Sequence, residues 1–561
     1  MPGSSRENGK LPLTFGVEIE FLFGIRRDLE RYREYSWLQV QNLRQDYFFK
    51  LDLEITNEAD RDSDFSTGLL QARTIIKNHG GELWIDSKTT PYADSFDKFS
   101  YWMIVPEEAV LAPKDPAELF QWSNGALTVQ RESQIFDEWD WTGLELVSPA
   151  LRVPDMDQNR PNGLVELTGY LKLMTADQCP TVPYVLMANP RNASVHVHIG
   201  LQPEPEGQVD FPADFIRHLA WLCIAFEDTI TLLHHPERHS YPETKSRSFA
   251  NSNRKFLHAV GASHRVHCCH LGKPFSAEDT FMKIFDYENE DEDGDNIFPL
   301  LQALSSKKLP FREEPLNMAD FNRFLFVNFE NLAIAMMTTE HAKKTIEFRQ
   351  HQGTLSTSDI EQWVIFLTAL CRASERFESL TPDSNAAVPL TLMSKLKKKY
   401  KDPRKLDRAI IEAKKYTQIW QRDRRSLKQL FDILELPVHR RLYWWQRAKQ
   451  VRAELDKNWS GKLQSTCDDI DCPNKPVRDC EGWEEGELDE PPWDGADDDA
   501  EYELDDIEME EDESVPMDID NDVPEPESSI PRLDMLSATS LIEDDVDDVP
   551  MEIDDDIPSP A

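Results

Sequence analysis

The sequence predicts an α+β fold: an antiparallel β-sheet flanked by helices, followed by a basic helical segment and a disordered acidic tail. Three observations predict it. Segments with period-two alternation of apolar and polar residues read as strands at 13–23, 100–105, 143–147, 193–200 and 345–351. Segments with helical periodicity fall at 66–77, 162–175, 214–234, 320–337 and 358–373, with Asp214 and Asp320 as N-caps and Ser356 or Thr357 capping the last. The two kinds follow one another without the regular βαβ alternation of a doubly wound sheet, which favours antiparallel pairing.

Charge divides the chain. The net charge is -43 over 561 residues, but 34 of the 104 acidic side chains lie in residues 481–561, where Arg532 is the one basic residue. The tail, taken as 461–561, combines acidic clusters and Pro with few large apolar groups, a composition that cannot bury a core. Within it VPMDID at 515–520 nearly repeats as VPMEID at 549–554. Such a tail is most simply solubilising, with a surface for a basic protein partner as the alternative. The overall acidity argues against nucleic acid, whose phosphates need a basic surface.

Residues 385–460 differ again. From 395 to 452 there are 19 Lys and Arg against 6 Asp and Glu, and Leu406, Ala413, Trp420, Leu427 and Leu434 recur every seven residues, with Ile410 and Phe431 on the same side. This is an amphipathic helix or helix pair bracketed by Pro403 and Pro437. Basic residues around Tyr443, Trp444 and Trp445 suit either an anionic partner or, more simply, a helical appendage whose cations form its solvated face. The main domain is then 11–380.

No stretch approaches the 18 or so apolar residues of a membrane span, and the polar start of the chain has no signal-peptide core. Eight scattered cysteines form no disulfide framework, so an intracellular protein, cytoplasmic or nuclear, is expected. The acidic stretch YENEDEDGDN at 287–296 lacks EF-hand spacing. HCCH at 267–270 reads as structural, because adjacent residues do not all face one ion, and Cys467, Cys472 and Cys480 lack a fourth ligand.

The strands share a grammar. Glu18 and Glu20 in LTFGVEIEFLF lie on one face of a strand while Phe15, Val17, Ile19 and Phe21 lie on the other. His196 and His198 repeat the arrangement in ASVHVHIGL, opposite Val195, Val197 and Ile199. In TIEFRQHQGT, Glu347, Arg349 and His351 oppose Ile346 and Phe348, and Glu145 sits among apolar neighbours in WTGLELVSPA. Each pattern alone is ordinarily a solvated sheet face. If the four glutamates converge, each like-charge pair costs roughly 4 kcal/mol at about 4 Å and an effective dielectric of about 20. Divalent cations offset that repulsion, and hard oxygen donors point to Mg²⁺ or Mn²⁺. Carboxylates beside Arg and His describe a phosphoryl-transfer site, and no P-loop or G-x-G-x-x-G segment offers another nucleotide site.

FGVEIEF, GLELVSP, SVHVHIGL, RFLFVNF and TIEFRQHQGT, in that order and with Trp363 downstream, resemble the amidoligase family, carboxylate–amine ligases related to glutamine synthetase and glutamate–cysteine ligase. The resemblance spans about 13–375. It implies a glutamine-synthetase-like antiparallel catalytic sheet, ATP with two or three Mg²⁺ or Mn²⁺ ions, and an acyl-phosphate intermediate. By its pattern Glu18, Glu20, Glu145 and Glu347 are metal ligands, His196 and His198 meet ATP or the substrate carboxyl, and Arg349 neutralises the transferring phosphoryl group. Arg238, in HHPERHSY, matches a further basic position. The chain departs from the pattern at YWMIVPEEAV, where Glu107 stands near the family's usual Asp.

The expected activity is therefore ATP-dependent ligation of a small-molecule or peptide carboxylate to an amine. A metal-dependent hydrolase using His196 and His198, with Glu145 or Glu347 activating water, competes with it. So does a non-catalytic interaction protein built on the same scaffold.

Overall fold

Strands from as far along the chain as Leu201 pair with one long strand near the start of the described residues. The computed structural model describes residues 10–26, 84–85, 102–107, 109–110, 139–153, 163–175, 184–188, 193–202, 210–231, 233–235, 238, 253, 257, 277–288, 297–305, 324–337, 343–420 and 426–454. The strands are β1 Leu13–Arg26, β2 Trp84–Ile85, β3 Met103–Pro106, β4 Trp139–Val147, β5 Leu151–Arg152, β6 Tyr184–Met187, β7 Ser194–Leu201, β8 Val327–Asn328 and β9 Ile346–Gln352. They form one sheet in the order β2-β3-β4-β1-β7-β9-β8, with β5 and β6 also paired to β1. All pairs are antiparallel except β2 with β3.

β1 is paired along both edges, to β4 and β5 on one side and to β7 and β6 on the other. Between β4 and β5 the chain turns at Ser148-Pro149. Proline cannot donate to the ladder. Ser148 keeps the edge satisfied instead: its amide donates to the Val17 carbonyl (2.9 Å), and its Oγ accepts from the Val17 amide (2.8 Å).

The alternation in β1, β7 and β9 is realised as expected. Phe15, Val17, Ile19, Phe21, Val195, Val197, Ile199, Ile346 and Phe348 are buried in one continuous core. That core includes residues of helices α1 Gly163–Thr175, α2 Ala213–Ala225, α3 Glu227–Thr231, α4 Ala277–Ile284, α5 Phe298–Ser305, α6 Glu330–Met337 and α7 Thr357–Ser379. Ser356 caps α7, its hydroxyl accepting from the Asp359 amide (3.2 Å).

Two helix expectations are corrected. The helix predicted over 214–234 runs as α2 and α3 with an interruption at Phe226, and its N-cap is Pro212. Asp214 lies inside the first turn, where Arg217 (2.8 Å) and Arg408 (3.0 Å) hold it. Of the helix predicted over 320–337, Asp320 lies outside the described residues, and the part from Phe324 onward is helical from Glu330. The alternating Phe324-Leu325-Phe326-Val327-Asn328-Phe329 instead supplies the edge strand β8, and the Asn328 side chain accepts the Glu330 amide (2.9 Å) to start α6.

The basic segment forms α8 Leu390–Lys399, α9 Pro403–Lys415, α10 Thr417–Trp420, α11 Leu427–Leu434 and α12 Val438–Glu454. Pro403 occupies the first turn of α9 behind an Asp402 cap, as its fixed φ and missing N–H allow. The seven-residue stripe is therefore not one helix, yet Ala413, Leu427, Phe431 and Leu434 are all buried, and Leu406, Ile410 and Trp420 pack against the same core. Trp444 is 1% exposed and lies against Trp363 and Phe366 of α7, so it is a core residue.

The predicted helix at 66–77, the acidic stretch from 289, HCCH at 267–270, the late cysteines and the acidic tail all lie outside the described residues. Among the described residues no helix is long and apolar enough to cross a membrane.

A β-bulge overturns one reading. Val195 faces His351 and Val197 faces Phe348, so two residues of β9, Arg349 and Gln350, oppose His196 alone. The extra residue reverses the alternation beyond it. His351 consequently turns to the core face, against His234 and Trp363, and does not share a face with Glu347.

Truncating Trp444 to Ala is expected to cost about 3–5 kcal/mol of stability in urea unfolding, which a solvent-facing aromatic would not. Burial lowers the His351 imidazole to about 4. The unfolded chain then binds more protons than the folded one between that value and about 6.5, so stability falls as pH drops through this window, by on the order of 3 kcal/mol in all. A His351→Leu variant is expected to show a flatter pH dependence of the unfolding midpoint between pH 7 and pH 4.

Candidate functional site

The polar residues of β1 select their neighbours by register. Glu20 lies directly across from Glu145 of β4, and Glu18 across from His196 of β7. His198 lies across from Glu347 of β9, and Glu347 across from Asn328 of β8. Directly opposed residues of an antiparallel pair share a face. Five adjacent strands thus present Glu145, Glu20, Glu18, His196, His198, Glu347 and Asn328 on the side opposite the main core.

The side chains meet. His198 Nε2 lies 3.0 Å from Glu18 Oε1, and His196 Nδ1 lies 3.4 Å from Glu18 Oε2. The same imidazole is 3.6 Å from Glu20 through Nε2 and 3.7 Å from Glu347 through Nδ1. Arg349, on the bulge, donates to Glu347 Oε1, while Asn328 donates to Glu347 Oε2 (2.8 Å). Arg238 is buried and donates to the Arg349 carbonyl (2.7 Å). All eight residues singled out from the sequence therefore lie at one place on the sheet.

Four further residues belong to the cluster. The Ser194 hydroxyl contacts Glu20 (2.6 Å) and His196 Nε2 (2.7 Å). Thr345 Oγ1 is 3.1 Å from His198 Nδ1 and orients that ring. Lys343 Nζ is 3.1 Å from Glu18 Oε1. Glu107, just beyond β3, groups with Glu20 and Glu145. Position parity marks Ser194, two residues before His196, but Lys343 and Glu107 lie outside strands and carry no periodic signal. Gly143 lets Glu107 approach: a Cβ there would stand 2.3 Å from the Glu107 carbonyl oxygen and 2.4 Å from that of Val110. On the same side Leu22, Val110, Met187 and Ala193 form a small second apolar cluster with Trp141 against it.

Electrostatics divide the carboxylates. Burial pulls Glu18 upward, but His198, Lys343 and the hydrogen bonds of both histidines outweigh it and hold the carboxyl well below its ordinary value. Glu347 is lowered in the same way, burial being overcome by Arg349 and the two histidines. Glu145 goes the opposite way: burial first, then Glu18, Glu20 and Glu107, push it well above the usual range. Burial also raises Glu107.

The donor set suits hard divalent cations. Three overlapping groups each bring ligand atoms within 4.8 Å of one another: Glu18, His198 and Glu347; Glu18, Glu145 and His196; Glu20, Glu107 and Glu145. Among the described residues, Lys343, Arg349 and Arg238 are the fixed cations set against these five carboxylates. The Glu145 end, farthest from Arg349 in strand order, is where negative charge remains least compensated. Two of the groups combine carboxylate oxygens with one imidazole and the third is all carboxylate, with no thiolate in any of them.

No protein-family model matches the chain, and no curated protein or solved structure matches it either.

Glu145 and Glu18 have opposite linkage. A folded-state value raised above the unfolded one, about 4.3 for Glu, means that Glu145 destabilises the fold increasingly as pH rises through the raised value. Without divalent ions, Glu145→Gln is expected to melt at a higher temperature than the parent at pH 8, with the difference closing toward pH 4. Thermal melts in a chelator across that range check it.

Proposed function

We propose that the chain is an ATP-dependent carboxylate–amine ligase with a glutamine-synthetase-like catalytic sheet, forming an amide through an acyl phosphate. The supporting observation is the register itself. Glu145–Glu20, Glu18–His196 and His198–Glu347 are successive cross-strand pairs on one face, with Arg349 beside them. Their order along the chain is that of the motifs resembling the amidoligase family.

In this reading Glu18, Glu20, Glu145 and Glu347 hold Mg²⁺ or Mn²⁺, with Glu107 at the Glu145 end. The bound ions supply neutralisation of phosphate charge. A substrate carboxylate takes the terminal phosphoryl group of ATP, and an amine then displaces phosphate from the acyl carbon and loses a proton. Arg349 is held at Glu347 and stays cationic, since Glu347, Glu20 and Glu18 outweigh burial and raise it. It neutralises charge on the transferring phosphoryl group, a task for which a planar guanidinium is suited. His198, fixed by Thr345, and His196, fixed by Ser194, offer ring nitrogens to nucleotide or carboxyl oxygens. Arg238 supports Arg349 through its backbone. The acceptor amine and the carboxylate belong to small molecules or a peptide, and the acidic tail is a surface for a basic protein.

A thermal shift with ATP tests the reading. The melting temperature is expected to rise with ATP and Mg²⁺ together, and neither a metal-dependent hydrolase nor a non-catalytic scaffold requires that. Glu347→Gln is expected to lower ATP turnover about 100-fold or more while melting within a few degrees of the parent. Parent-like turnover in that variant would remove the assignment.

A further inference from the structure

Lys343 stands where an ion would stand. It lies three residues before β9, and its ammonium is 3.1 Å from Glu18 Oε1. That oxygen is also 3.0 Å from His198 Nε2. Glu18 belongs to two of the three groups able to hold a cation, and Lys343 feels the other carboxylates of both, Glu347 and Glu145. An ammonium and a divalent ion held at contact distance by one carboxylate repel each other, so each weakens the other's binding. The lysine has a flexible four-carbon stem, and its side chain keeps 29% of its surface exposed, so a route outward exists.

We propose that Lys343 is a tethered counter-ion: in the metal-free protein its ammonium occupies the Glu18 end of the carboxylate cluster, and a divalent cation binds there by displacing it. This rests on the proposed metal-dependent reading and adds to it that metal affinity is set by a competing side chain. The lysine keeps the clustered carboxylates from repelling one another until the ion arrives, and it weakens ion binding by the same amount. The neighbouring Lys344 supplies the comparison. It pairs with Asp210 (2.6 Å), outside the cluster, so its removal changes net charge equally without touching the proposed seat.

The test is Mn²⁺ binding to the full-length chain by calorimetry, without nucleotide. Lys343→Met is expected to bind Mn²⁺ at least tenfold more tightly than the parent and to melt lower in chelator. Lys344→Met is expected to match the parent in both. Lys343→Arg, which keeps the charge, is expected to retain the weaker affinity and provides a folded control. On the parent, Lys343 is expected to react faster with an amine-labelling reagent when Mn²⁺ is present, as read by peptide mass mapping. Equal affinity in the parent and Lys343→Met, or weaker affinity in the variant, overturns the counter-ion role alone. So does slower labelling with Mn²⁺. Absence of Mn²⁺ binding in every variant overturns both this role and the metal-dependent reading beneath it.

Discussion

The organising constraint is the burial of like charges on one face of a sheet whose other face is a hydrophobic core. β1 cannot turn its glutamates away without exposing Phe15, Val17, Ile19 and Phe21, because side chains in a strand alternate strictly. The register then fixes what each glutamate faces. Glu18 receives an imidazole and an ammonium, whereas Glu20 receives another carboxylate. One end of the cluster is consequently satisfied within the protein, and the other remains electrostatically strained around Glu145. Strain of this kind is the usual mark of a place where stability has been given up for chemistry.

The supporting residues follow the same division. Asn328 and Arg349 occupy both oxygens of Glu347, and Ser194 bridges Glu20 to His196. Glu347, Glu20 and His196 are thereby held in place by protein partners. Among the described residues, the basic helices pack behind the sheet, on the core. Trp444 closes over Trp363 and Phe366, and Arg408 reaches Asp214 at the start of α2, so the segment completes the core beneath the sheet.

Much of this could be read from the residues in order. Alternation in β1, β7 and β9 is strong because each polar position is flanked by large apolar side chains, and the two faces differ sharply. What escaped has physical causes. The bulge at Arg349 and Gln350 leaves no trace in composition, yet it reverses His351. The run 324–329 looks helical when joined to α6, but Val327 and Asn328 pair with β9 as an edge strand. Lys343 is placed by tertiary contact, and the heptad stripe continues across breaks in α9 to α11 because the surface it packs on is continuous even where the helix is not.

The central position of β1 has a consequence for biosynthesis. Of the described strands the central ribbon is made first, and its last ladder partner, β7, begins only at Ser194. Until β6 and β7 follow, the edge opposite β4 and β5 has no ladder partner among the described strands. Such non-local pairing folds slowly and leaves apolar surface exposed on the way.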